Sequence, residues 1–269
     1  MVNGNFQTLQ VTSHKYIINY KLITMKKVLI TGANKSIGFE TARQLLQNGY
    51  YVYLGARNLE KGLIAVEELK AEGLLHVEAV QLDVTDTASV MAARREIGKK
   101  SELLDVLINN AGINGGFPQS ALEATIDQFK QVFETNLYGV VRVTQAFIDL
   151  LQKSSQPRIV NVSSSGSSLT LHSDPNWKYY SHKAALYPSS KAALNMYTID
   201  LAYELRDTPF KVNAVCPGFV ATDFNNHRGT GTVQEAGNRI AKYAMIGADG
   251  PSGKFIAEEY NPETGITPW

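Results

Sequence analysis

The sequence predicts an α/β fold: a single doubly wound domain with an about seven-stranded parallel sheet and helices on both faces. Two observations carry this. Short apolar runs alternate with longer amphipathic stretches from residue 27 almost to the C-terminus. Most of the short runs are apolar at successive positions, as strands covered by helices on both sides must be.

In chain order, "KVLITGA" (27–33), "YVYLGA" (51–56), "VEAVQLDV" (77–84), "LDVLINNAG" (104–112), "RIVNVSS" (158–164) and "KVNAVCPG" (211–218) read as strands, with "GKFI" (253–256) as a seventh. Helical patterns fill about 37–48, 59–72, 87–100, 125–152 and 188–206. No repeat or linker divides the chain, so one domain is expected over 25–269. Residues 1–24 lack the charged start, long apolar middle and cleavage site of a signal peptide. Met25 opens "MKKVLITGAN", which marks 1–24 as a non-essential extension; "KYIINYKLI" within it is also rich in β-formers.

Bulk composition narrows the function. The 44% hydrophobic content suits a large core, and a net charge of +1 gives no reason to expect nucleic acid or an anionic membrane as partner. No apolar run reaches the roughly 18 residues of a membrane helix. The single cysteine, Cys216, excludes an internal disulfide and fits a reducing, cytoplasmic setting, where it reads as a packed thiol. The five histidines lack metal-ligand spacing, so no metal site is expected. "NVS" (161–163) matches a glycosylation sequon but falls in a buried strand.

"TGANKSIG" (31–38) lies between the first strand and first helix, where glycines permit a tight turn and backbone N–H groups approach a phosphate. This is the Rossmann-type arrangement. About 20 residues further on, NAD-binding domains carry an acid for the ribose hydroxyls. Here the second strand ends in Ala56, followed by Arg57. A guanidinium binds a 2′-phosphate that a carboxylate would repel, and Lys35 adds a second cation, so NADP(H) is favoured over NAD. Asp83 and Val84, ending the third strand, are candidate adenine contacts, although "DVTD" also reads as a helix-cap sequence.

One pattern occurs twice in "YYSHKAALYPSSK" (179–191): Tyr179 precedes Lys183 by four residues, and Tyr187 precedes Lys191 by four. On a helix that spacing places both side chains on one face. A lysine cation beside a phenol favours the phenolate and lowers its proton affinity.

Together "TGANKSIG", "NNAG" (109–112), "YPSSK" (187–191) and "CPGFVATD" (216–223) resemble the short-chain dehydrogenase/reductases, in order and spacing, over nearly the whole chain from residue 26. "GARN" and "DGPSGKFIAE" resemble the carbonyl reductase branch. One departure is Ser36, where the family has its middle glycine. The resemblance implies a catalytic tetrad of Asn136, Ser164, Tyr187 and Lys191. Asn136 would hold a water in a proton relay, Ser164 would bond the substrate oxygen, and Tyr187 would be the general acid. The serine assignment stays open among Ser163, Ser164 and Ser165; Ser163 should point to the other side of the strand from Ser164. The resemblance also implies cofactor contacts from Gly32, Asn34, Lys35, Ser36, Ile37 and Gly38, from Asn110, Ala111 and Gly112, from Pro217, Gly218, Val220 and Thr222, and from Tyr187 and Lys191, whose ammonium would bond the nicotinamide ribose. It implies reduction of an aldehyde or ketone. Oxidation of a secondary alcohol, and a nucleotide-sensing protein without turnover, are the alternatives.

The serine-to-tyrosine gap common in the family favours Tyr179, but the following sequence favours Tyr187. Pro188 suits the first turn of a helix, whereas a helix begun at Tyr179 would run into it. Residues 167–184 then form an insertion before the catalytic helix. Trp177, Tyr179, Tyr180 and His182 in it either border the substrate or simply pack the insertion. Substrate-selecting residues are expected in 165–182 and in a Gly-rich, mobile loop over about 219–245. The substrate's identity is not encoded in any motif, and monomer and homo-oligomer both remain open.

Overall fold

A computed structural model describes residues 25–269; the extension expected over 1–24 lies outside the described residues. The sheet has eight strands, one more than expected: β1 (Lys27–Ile30), β2 (Tyr51–Ala56), β3 (Val77–Gln81), β4 (Val106–Asn109), β5 (Arg158–Val162), β6 (Lys211–Val215), β7 (Lys254–Ile256) and β8 (Ile266–Thr267). Their order is β3-β2-β1-β4-β5-β6-β7-β8. All neighbours are parallel except β8, which pairs antiparallel with β7 through Phe255↔Thr267 and Ile256↔Ile266. Two residues give no periodicity to read, so β8 has no signature in the sequence.

Alternate strand residues feed two separate cores. Val28, Ile30, Val52, Leu54, Val106, Ile108 and Val160 pack on one face against α1 (Ser36–Gln47), α2 (Leu59–Ala71) and α8 (Val233–Ala244). Leu29, Tyr53, Val80, Leu107, Ile159 and Val212 pack on the other, under α3 (Thr87–Lys100) and α5 (Gly139–Leu151). This two-sided burial explains why the strands read as continuous apolar runs. Each fully buried Leu, Ile or Val contributes about 1.5–3 kcal/mol.

Three segments differ from expectation. The helix expected over 125–152 is α4 (Ile126–Phe133), a π-helical turn (Glu134–Tyr138), then α5. Single π-turns inside α-helices are frequent at functional sites; this one contains Asn136. The loop expected over 219–245 is a loop only to about residue 232. Beyond it α8 starts with a capping box, Thr232 Oγ1 accepting from Glu235 N while Glu235 Oε2 accepts from Thr232 N. Gly237 lets α8 lie against α1, since a Cβ there would sit 2.6 Å from Glu40 Cγ. Finally, the insertion forms a 3₁₀ turn (Ser165–Ser167) and a short helix, α6 (Leu169–Ser173), before α7 (Leu186–Glu204). Pro188 is the third residue of α7, where its missing N–H leaves no helical bond unmade.

Candidate active site

The motif residues all follow the carboxyl ends of parallel strands, the edge at which open α/β sheets bind ligands. After β1 the chain turns through Gly32 (φ +62°). A Cβ on Gly38 would lie 2.5 Å from Asn110 Nδ2 and 2.7 Å from Gly32 O, so only glycine admits this packing. Asn110 locks the turn to the end of β4: its Nδ2 donates to Thr31 O (2.9 Å) and Gly32 O (3.0 Å). Thr31 Oγ1 in turn accepts from Asn110 N and Ala111 N, both at 3.0 Å. Thr31 was not singled out in the sequence, although it opens the same motif.

Helix α1 begins without a side-chain cap at Lys35 and without an acid in its first turn. Its first N–H groups therefore face the glycine turn without a side-chain acceptor, an arrangement suited to an anion. Ser36, in the family's glycine position, has φ +55° and so sits in the left-handed region that disfavours a side chain. Arg57 is exposed just beyond β2. Lys35 is exposed too, but its Nζ is paired with Asp223 Oδ2 at 3.0 Å. Just after β3, Asp83 Oδ1 accepts from Thr85 N (2.9 Å) and Thr85 Oγ1 (2.7 Å), and Asp86 caps α3 by accepting from Ala88 N (2.9 Å), so the helix-cap reading of "DVTD" is realised at Asp86.

Asn136 is fully buried in the π-helical turn. Its Oδ1 accepts from Ile113 N (2.9 Å), and its Nδ2 donates to Ile113 O (2.9 Å) and Ser190 Oγ (3.0 Å). Gly112 separates it from Lys191: a Cβ there would be 3.3 Å from Asn136 Oδ1 and 3.6 Å from Lys191 Nζ. Asn136, Gly112 and Lys191 thus converge from α4–α5, β4 and α7.

The serines separate as the strand geometry requires. Ser163 Oγ points into the core, donating to Asn195 Oδ1 at 2.7 Å. Ser164 caps the 3₁₀ turn, accepting from Gly166 N at 3.3 Å, and lies close enough to interact with the Tyr187 phenol. Ser165 N donates to Cys216 Sγ at 3.2 Å.

Of the two tyrosine–lysine pairs, only the second is helical. Tyr187 and Lys191 stand one turn apart on α7, with Nζ 6.0 Å from the ring centroid. Burial pushes the Tyr187 phenol well above its ordinary value, and the nearby Cys216 adds to this; Ser164 pulls the other way. The expected lowering of the phenol by Lys191 is therefore not met in the protein alone. Lys191 is itself buried, which lowers it to about 8, and its ammonium donates to Val162 O at 2.7 Å. Tyr179 lies in a turn and Lys183 in the irregular chain just after it. Tyr179 Oη donates to Glu259 Oε1 at 2.7 Å, while Lys183 lies over the Tyr180 ring and donates to His172 O.

Several site residues carry no motif. Gln119 Oε1 accepts from Tyr187 N at 3.2 Å, and the backbone O of Gln119 accepts from Ala185 N at 2.7 Å, which fixes the start of α7. The segment after β6 folds back over the site: the Phe224 ring meets the Tyr187 ring edge-on at 5.1 Å, and Asn114 Nδ2 donates to Phe224 O. Glu259, after β7, joins Tyr179 to Phe219 N. These links connect residues far apart in the chain, so no local pattern announces them.

Among known proteins, a family model described as short chain dehydrogenase matches residues 26–232. The chain is 32% identical to a (+)-neomenthol dehydrogenase of Capsicum annuum, covering 88% of this chain and 96% of that one. Among solved structures, it resembles the salutaridine reductase of Papaver somniferum with a TM-score of 0.75 and 32% identity, over 86% of this chain and 99% of that one. It also resembles an NADPH-bound carbonyl reductase from chicken fatty liver, with a TM-score of 0.77 and 29% identity over 91% and 99%. No helix of the described residues is long and apolar enough to cross a membrane.

Proposed function

Because the chain belongs to the short-chain dehydrogenase family, we propose that it is a cytoplasmic reductase that converts an aldehyde or ketone to the alcohol with NADPH. The observation that carries this reading is the convergence of Ser164, Tyr187, Lys191 and Asn136 beside an uncapped helix N-terminus at one sheet edge. The residues fit the cofactor. The glycine turn and the first N–H groups of α1 suit its pyrophosphate, and Arg57 suits a 2′-phosphate. Lys35 would exchange Asp223 for the phosphate; an exposed ion pair resists this little. Asp83 and Val84 would meet the adenine. Asn110, Ala111, Gly112 and the 217–222 stretch would flank the rest.

When bound, the cofactor supplies the hydride that reaches the carbonyl carbon. Ser164 holds the carbonyl oxygen, and Tyr187 gives that oxygen its proton. A phenol is protonated at neutral pH, as the acid role in reduction requires. Lys191 keeps a positive charge beside the phenolate that proton transfer leaves behind. Asn136, next to Lys191 across Gly112, continues the path by which the proton is replaced.

The test is oxidation of NADPH and of NADH with a panel of aldehydes and ketones. The reading predicts turnover with NADPH favoured by about tenfold or more in kcat/KM, and Arg57→Glu should erase that preference. A wild-type protein that binds NADPH yet turns over no carbonyl compound would contradict it.

A further inference from the structure

Glu259 ties its own segment to two others near the site, the insertion and the loop after β6. It lies after β7, in the chain leading to β8. Its Oε1 accepts from Tyr179 Oη and from Lys178 Nζ, both at 2.7 Å, and its Oε2 accepts from Phe219 N at 3.0 Å. Burial pushes its carboxyl up, but these three donors outweigh that and hold it below the usual range.

The three donors belong to two segments: the insertion that leads into α7, and the loop after β6. Tyr179 is in the insertion. Phe219 is the root of a loop whose ends are closed by the Val220–Gly231 bridge and by Gly231 N donating to Phe219 O at 2.8 Å. The tip of the same loop sets Phe224 against the Tyr187 ring. The Tyr179 ring meets Phe219 edge-on at 5.8 Å and is backed by Trp177 at 5.5 Å. Glu259 therefore ties the Tyr179 and Phe219 aromatic pair together, and its hydrogen bonds go to neither Ser164 nor Tyr187.

We propose that Glu259 is a positioning residue that sets which carbonyl compounds the site accepts, by holding the Tyr179–Phe219 wall in place. This rests on the carbonyl reductase reading above. A small aldehyde needs only Ser164 and Tyr187. A bulky cyclic ketone extends beyond them and meets the wall, so only the bulky substrate senses a change at Glu259.

The experiment compares wild type, Glu259→Ala, Glu259→Gln and Tyr179→Phe, using a short aliphatic aldehyde and a bicyclic ketone. NADPH affinity is followed by the cofactor's fluorescence. For Glu259→Ala the bicyclic ketone's KM should rise about tenfold with kcat within about twofold, and the aldehyde and NADPH should be unchanged. Glu259→Gln, which keeps one acceptor oxygen, should fall between wild type and the alanine variant, and Tyr179→Phe should shift KM in the same direction. If Glu259→Ala does not fold, the glutamine and phenylalanine variants carry the test. Equal losses on both substrates, or no change on either, would overturn the assignment while leaving the reductase reading intact. A wild type inert toward every carbonyl compound would remove both.

Discussion

Tyr179–Lys183 and Tyr187–Lys191 have the same spacing, eight residues apart, and opposite surroundings. The first pair lies outside any helix, its phenol donating to Glu259 and its lysine turned to the Tyr180 ring and His172 O. The second lies on a helix, beside Ser164, with Asn136 reached through Gly112. A spacing becomes chemistry only when a helix puts both residues on one face and the sheet brings a third group to meet them. What separates the copies is Pro188, which fits the first turn of a helix and would break one started at Tyr179.

The largest effect that sharpens this contrast is at Lys191. Lys191→Met should lower kcat by about 10²–10⁴-fold, whereas Lys183→Met should leave it within about twofold. Stability should move the other way. Burial holds Lys191 near 8, against an ordinary 10.5, a penalty of roughly 3 kcal/mol that the methionine variant escapes. The loss of its bond to Val162 O offsets part of this, so the unliganded variant should melt a few degrees above wild type. Differential scanning calorimetry checks it.

The pH dependence follows from the same group. Below pH 8 Lys191 is protonated in both folded and unfolded states, and the full burial penalty is present. Between pH 8 and 10.5 the folded state has released a proton that the unfolded state still binds, so this group's contribution makes stability rise with pH. The stability gap between wild type and Lys191→Met should be flat below pH 8 and shift in wild type's favour above it. Comparing the two removes the opposite trend from Tyr187 and Cys216, whose raised values weaken the fold at high pH.

The smallest effect is at Ser36. Its φ of +55° costs a non-glycine residue about 1 kcal/mol, so Ser36→Gly should raise stability by up to that amount in urea unfolding. Part of the gain is returned to the more flexible unfolded chain. NADPH affinity should change by less than about threefold.

The same contrast shows what was legible in the sequence. The first seven strands and the two-sided cores follow from apolar runs such as "KVLI" and "VLIN", and the placing of Tyr187 from Pro188. Helix α8 was legible as well, through the Thr232–Glu235 capping box, but glycines at 229, 231 and 237 obscured it. Gly237 is there for contact with α1 rather than for flexibility. The Lys35–Asp223 pair, the Asn114–Phe224 link and the Glu259 junction were not legible, because they join residues 40 to 188 positions apart through tertiary packing. The lowering of the Tyr187 phenol was expected from charge proximity alone; burial, which the spacing does not encode, is the larger influence.

The central claim is that Tyr187, and not Tyr179, is the acid of the site. It is tested most directly by NADPH oxidation with one accepted carbonyl substrate in wild type, Tyr187→Phe and Tyr179→Phe, with NADPH affinity measured for each. Tyr187→Phe should lose about 10²–10⁴-fold in kcat with cofactor affinity unchanged, and Tyr179→Phe should keep kcat within about twofold. Turnover that survives Tyr187→Phe and disappears in Tyr179→Phe would contradict the account.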